Sequence, residues 1–192
     1  QAISDKAAAY RIKNLLSTIN KTRKYIKELG FIETFSIEYR NGQLFLEAIS
    51  EEPEETVRIA WAKYLTNCIN PENRTISAQR VLIDIIRKME PVDLEIISEI
   101  PLEILLEKRA DAYIIKSENL PIDDQRVIES LSRLSGLGLF TYDYSADRLI
   151  LNATPHPCQL IIVTSVGEFI ATPLLMILKN AITISARAPD IK

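Results

Sequence analysis

The chain has 192 residues and a mass of 21.8 kDa, the size of one large domain or two small ones, and long enough to bury a core without disulfides or metals. Hydrophobic residues make up 47% and charged residues 26%, which excludes a disordered chain, and 5 glycines with 9 prolines exclude a collagen-like or low-complexity one. Charge is nearly balanced, 23 basic against 26 acidic residues for a net of −3, which argues against a dedicated nucleic-acid binder, normally a basic domain.

Two cysteines of unlike context, Cys68 and Cys158, give no disulfide framework, so a reducing cytoplasm is the expected compartment. The chain begins at Gln1 rather than Met, so it is expected to be a fragment, and any targeting or membrane segment would lie in what precedes it.

Residues 4–29 read as one long amphipathic helix. Ile12, Leu15, Leu16, Ile19, Ile26 and Leu29 follow three-and-four spacing and are expected to face inward. Lys6, Lys13, Lys24 and Lys27 fall on the other side, and Gly30 is a natural stop. Seven cations against Asp5 and Glu28 leave this helix at +5. A solvated polar face is the plain reading, and a docking face for an acidic partner or anionic lipid is the sharper one.

Phe31 to Glu38 alternates weakly, as a short strand or a helix start, and Asn41-Gly42 marks a turn. The acidic run Glu47, Glu51, Glu52, Glu54 and Glu55 leads into a helix over about 53–69 that is apolar nearly all round, with Val57, Ala60, Trp61, Tyr64 and Cys68, and should be central and buried. Cys68 there is a small core residue. A further helix runs to Met89 with Val81, Leu82, Ile85, Ile86 and Met89 inward. Pro91 opens another to Ile100, and Pro101 a short one over about 102–109. Short helices with short links describe a helical bundle.

The last third changes period. A helix from Pro121 carries Val127, Ile128, Leu131 and Leu134. Phe140 to Asp143 and Arg148 to Leu151 then flank a loop as a β-hairpin, Gln159 to Thr164 is a third strand, and Ser165 onward is helix-like with Val166, Phe169 and Ile170. The stretch Leu160 to Leu178 is not a membrane span, because Glu168, Gly167 and Pro173 interrupt it; it reads as a buried strand and a core helix. The expectation is therefore a mainly α (α+β) chain: a helical domain over 1–110, a winged-helix-like domain with a small hairpin or sheet over 120–180, and a tail over 181–192.

Four segments resemble the Abi-alpha family, named for phage abortive infection. Thr56 to Cys68 (TVRIAWAKYLTNC), preceded by acidic residues, is similar to its LWAxLLAxA helix. Val81 to Asp93 (VLIDIIRKMEPVD) resembles its FVEILKQLSPLDA segment. Leu131 to Leu139 (LSRLSGLGL) and Thr164 to Phe169 (TSVGEF) are similar to its later L..L..LGLI and LTPLGRAF segments. The segments keep family order over about 47–170. Thr66-Asn67-Cys68-Ile69 replaces the family's small-residue ending, and Asp143 to Cys158 has no counterpart. The resemblance implies a helical cytoplasmic protein of phage defence, ending in a winged helix, and it implies no catalytic residues.

No catalytic, cofactor or metal site emerges from the residues. There is no phosphate loop and no nucleophile elbow. His156 and Cys158 cluster, but zinc wants about four ligands. The consecutive glutamates lack the glycine turn of a calcium loop. In the winged-helix-like part, Arg126 and Arg133 are the candidate nucleic-acid contacts, outnumbered by Asp123, Asp124 and Glu129. The expected function is thus a non-enzymatic interaction or regulatory module of phage defence, working by protein–protein contact or as a homo-oligomer, without a cofactor or small-molecule substrate. A DNA-binding regulator and a membrane-surface protein are the alternatives.

Overall fold

The computed structural model describes residues 2–71, 76, 79–100, 113–120, 122–143, 160–164 and 167–184. The expected helix at 102–109, the strand at 148–151 with its loop, His156 and Cys158 lie outside these residues. The described chain is mainly helical, with seven helices and one four-stranded mixed sheet. It divides into two units, 1–89 with 181–192, and 90–180. The helix from Pro91 thus falls in the second unit rather than in an N-terminal domain reaching 110, and residues 181–184 belong to the first rather than to a tail.

In the first unit, α1 (Ala2–Leu29) runs 28 residues and ends where Gly30 takes φ +74° and donates its N–H to Ile26 O. A left-handed residue just past the last turn is the ordinary glycine stop. Residues 31–38 form neither strand nor helix, and the Phe35 N–H donates to Ile69 O. Next comes α2 (Tyr39–Glu51), which carries Asn41 and Gly42 inside its first turns. The expected turn there is overridden because Phe45, Ala48 and Ile49, at three-and-four spacing, all find a core to enter.

That core is α3 (Glu55–Ile69), which buries Val57, Ala60, Trp61, Ala62, Tyr64, Thr66, Asn67 and Cys68. Phe45 meets Trp61 edge-on, with ring centroids 5.3 Å apart, and lies 5.0 Å from Tyr64. Asn67 donates to Ala181 O at 2.8 Å and Thr183 O at 2.9 Å, tying the C-terminal residues to α3. Then α4 (Arg80–Ile86) buries Leu82, Ile83, Ile85 and Ile86. It stops three residues short of Met89, which is buried beyond it, and Val81 is exposed rather than inward. Four aliphatics fill the inner arc of a two-turn helix, and Val81 falls outside that arc.

The largest departure is in α1. Its buried residues are Asn14, Thr18 and Thr22; of the six aliphatics expected inward, Leu15, Ile19, Ile26 and Leu29 are half-buried, while Ile12 is 58% exposed and Leu16 54%. Thr18 and Thr22 donate their hydroxyls to the carbonyls of Asn14 and Thr18 on their own helix. A threonine face so satisfied can approach another helix closely, and the Thr22 hydroxyl also lies 3.4 Å from Ala62 O. Asn14 also donates to Ser50 O, and α1 packs on α2 and α3.

In the second unit, α5 (Pro91–Glu99) begins with proline at its first turn. Strand β1 (Tyr113–Lys116) and a 3₁₀ turn (Ser117–Asn119) lead to α6 (Asp124–Gly136), where Asp123 accepts the Arg126 N–H. Strands β2 (Phe140–Asp143), β3 (Leu160–Thr164) and β4 (Gly167–Ala171) precede α7 (Pro173–Ala181). Sheet order is β1-β3-β4-β2, with β1 parallel to β3 and the other pairs antiparallel. The helix expected from Ser165 is strand β4 instead, because Phe169 sits opposite both Ile162 and Tyr142, and its ring packs 4.6 Å from that of Tyr142. Cross-strand partners on both sides override a weak helical period. The parallel pairing of β1 was not expected at all. No described helix is long and apolar enough to cross a membrane.

Trp61 has no solvent exposure, and its indole Nε1 finds no hydrogen-bond partner among the described residues. Trp61→Ala should lower unfolding free energy by about 3–5 kcal/mol, whereas Trp61→Phe, which forfeits no hydrogen bond, should lose about half of that or less. Denaturant titration of the two variants checks both figures. Equal losses would mean that the indole does more than fill space.

Candidate functional site

The four lysines expected to form an interaction face, Lys6, Lys13, Lys24 and Lys27, are all exposed on α1, as is Arg23. Of these, Lys24 makes a long ion pair of 3.7 Å to Glu28 one turn on. The acidic run meets other cations of the same helix. Arg11 reaches Glu51 at 3.2 Å and Lys21 reaches Glu55 at 2.8 Å, while Arg87 takes the second oxygen of Glu51. The hydrogen bond from Lys21 holds the Glu55 carboxyl below its ordinary range. Attraction between the basic helix and the acidic run is therefore satisfied inside the first unit, by Arg11 and Lys21, and leaves the lysine face to solvent. Exposed pairs of this kind contribute about 0–1 kcal/mol each and set the seating of α1 more than its stability.

A second surface was not foreseen. Tyr39, Gln43 and Leu46 follow one another along one face of α2, and Tyr39 and Leu46 are large exposed side chains. Beside them, Arg40, Gln43, Leu44, Leu46, Glu47 and Arg80 line an open groove of about 530 Å³. Val81 is exposed next to Arg80. The sequence signal was there in Tyr39 and Leu46 at helical spacing, but reading Asn41-Gly42 as a turn broke the helix that carries them.

In the second unit the titratable groups are held structurally. Asp93 is fully buried at the start of α5. It accepts the Glu90 N–H at 2.8 Å, the Ser130 hydroxyl, and both Nε and a terminal nitrogen of Arg133 at 3.0 and 2.9 Å. Arg133 also lies 3.1 Å from Glu90. The hydrogen bonds that Arg133 donates to Asp93 hold its guanidinium above its ordinary pKa. Such a fork on a carboxylate is the strong form of ion pair, and here it joins α5 to α6. Of the two candidate nucleic-acid contacts, Arg133 is thus engaged within the unit, and Arg126 is exposed. Lys179, buried on α7, donates to Ile97 O at 2.7 Å and Ser98 O at 3.1 Å at the end of α5, where carbonyls lack helical partners.

Cys68 is buried beside Tyr64, and burial pushes its thiol up to about 12 and the Tyr64 phenol up as well. The Tyr64 hydroxyl accepts the Gln79 N–H at 2.9 Å. Among the described residues no group of three or more His, Cys, Asp or Glu could hold a metal ion.

Set against known proteins, the chain finds no match among protein-family models, curated proteins or solved structures.

Two measurements follow from these contacts. Asp93→Ala strands Arg133 and frees the Glu90 N–H, so it should lower stability by about 3–5 kcal/mol, while Arg126→Ala should stay within about 0.5 kcal/mol in the same denaturation assay. With its pKa near 12, Cys68 holds about one part in 10,000 as thiolate at pH 8. In a Cys158→Ser background, a chromogenic disulfide reagent should therefore leave the folded chain unlabelled and react fully once denaturant is added.

Proposed function

We propose that this chain is a non-catalytic interaction module of a cytoplasmic phage-defence protein, recognising a protein partner at the face made by α2 and the start of α4. The observation that carries the reading is the exposed Tyr39 and Leu46 on one side of α2, above a groove bracketed by Arg40 and Arg80. Large apolar side chains beside arginines are what the centres of protein interfaces are made of. The chemistry fits a partner segment that presents an apolar side chain between carboxylates. The phage-defence setting rests on the four ordered segments of 47–170 that are similar to the Abi-alpha family.

We read the second unit as winged-helix-like, on the succession of α6 and the strands β2, β3 and β4. A DNA-binding role for it would need a cationic reading surface. With Arg133 engaged by Asp93 and Glu90, the exposed Arg126 is outnumbered by Asp123, Asp124 and Glu129 in the same segment, which favours protein contact over phosphate contact.

Tyr39→Asp with Leu46→Asp alters exposed positions, so the double variant should keep its stability within about 1 kcal/mol. In cells challenged with a phage against which the parent protects, the folded variant should lose protection. If it protects as well as the parent, the α2 face is not the working surface.

A further inference from the structure

The outer face of α1 goes beyond that reading. The helix is seated by Asn14, Thr18 and Thr22, with Arg11 and Lys21 engaged at its flank, and so it turns Ile12 and Leu16 outward one turn apart. Lys6, Lys13, Arg23, Lys24 and Lys27 share the solvent side with them. From Lys6 to Lys27 this row extends about 32 Å at the rise of an α-helix. Glu28 pairs with Lys24 within it, and Asp5 is a second exposed carboxylate at its N-terminal end.

We propose that this face docks flat on an anionic lipid surface, with the basic side chains on headgroups and Ile12 and Leu16 entering the acyl boundary. Three observations favour that occupant. Two carboxylates of the acidic run, Glu51 and Glu55, are already held by Arg11 and Lys21 of their own chain, which leaves a second copy fewer anions to offer the lysines. A nucleic acid would meet the cations but give Ile12 and Leu16 nothing to bury against. A protein interface concentrates aromatic residues and arginine in a compact centre and is depleted of lysine, whereas the exposed residues of α1 are four lysines and Arg23 strung along the helix with Tyr10, Ile12 and Leu16. A lipid surface satisfies both parts, since lysine stems lie along apolar material while their ammonium groups stay among phosphates. Each cation near such a surface is worth roughly a fivefold change in partition.

The experiment is sedimentation of the full 192-residue chain with vesicles. One set is phosphatidylcholine alone and the other carries about 30% phosphatidylserine, enough for a marked negative surface potential. The chain should sediment with the anionic vesicles only, and about 0.5 M salt should release it by screening. Reversal of Lys13, Lys24 and Lys27 to Glu should weaken binding by at least about 100-fold, while reversal of Lys88, Lys116 and Arg126, equal in charge, should leave it near the parent. Ile12→Ser with Leu16→Ser should weaken binding at unchanged charge, and circular dichroism confirms that each variant is folded. Equal sedimentation with both vesicle types overturns the proposal, as does no sedimentation with either. So does equal weakening by the two charge reversals, which would reduce the effect to net charge. Should the α1 reversal fail to fold, the salt titration of the parent and the serine variant decide the question.

Discussion

Helix α3 has no fully exposed residue beyond its first turn, and the N-terminal unit is organised around that requirement. Trp61, Tyr64 and Cys68 on one arc and Val57, Ala60 and Ala62 around it are all buried, so neighbours must cover the helix from several directions. α2 supplies Phe45 against both Trp61 and Tyr64, α4 supplies a short run of aliphatics, and α1 lies along its length. A helix that is apolar all round has no marginal arrangement, because every uncovered side would leave aliphatic or aromatic area in water.

How α1 meets that demand has consequences at the surface. Its fully buried residues are Asn14, Thr18 and Thr22 rather than its aliphatics; Asn14 donates to Ser50 O of α2, and the Thr22 hydroxyl lies 3.4 Å from Ala62 O of α3. Arg11 and Lys21 border this face and find Glu51 and Glu55. One helix therefore uses part of its charge to hold its own unit and presents the rest, with Ile12 and Leu16, outward. Alongside it, α2 sends Phe45, Ala48 and Ile49 inward and Tyr39 and Leu46 out. The two outward faces differ in chemistry, one lysine-rich and extended, the other aromatic and compact, which is why they are assigned partners of different kinds.

The second unit turns on a single carboxylate. A fully buried Asp93 would be intolerable alone, and it is matched by a guanidinium fork, a hydroxyl and a backbone amide. The match fixes α5 on α6 and removes Arg133 from the surface chemistry of that helix. Lys179 closes the other end of α5. These are charged residues whose role is to complete the ends and crossings of helices, and their chemistry is accounted for by the fold.

Much of the architecture was legible in the residues. The buried character of α3, the start of α5 at Pro91, the helix before Gly136 and the strand Phe140 to Asp143 all stand where pattern and punctuation place them. Local signals misled where a tertiary partner outweighed them: Asn41-Gly42 inside α2, Phe169 in a strand, Val81 outside its inner arc. Unlike Phe140 to Asp143, the four residues of β1, Tyr113-Ile114-Ile115-Lys116, do not alternate apolar with polar, and the parallel partner lies more than forty residues on. The sequence by itself determined that α1 is an amphipathic helix with a lysine side, that α3 is central and that the charges come in a basic and an acidic block. Only the tertiary structure decided which side of α1 faces inward. The buried stripe is of asparagine and threonine, the half-buried Leu15, Ile19, Ile26 and Leu29 accompany it, and Ile12 and Leu16, at the same spacing, are left outside. Periodicity cannot choose between these sets, but close approach to α3, with the threonine hydroxyls already bonded to their own helix, can.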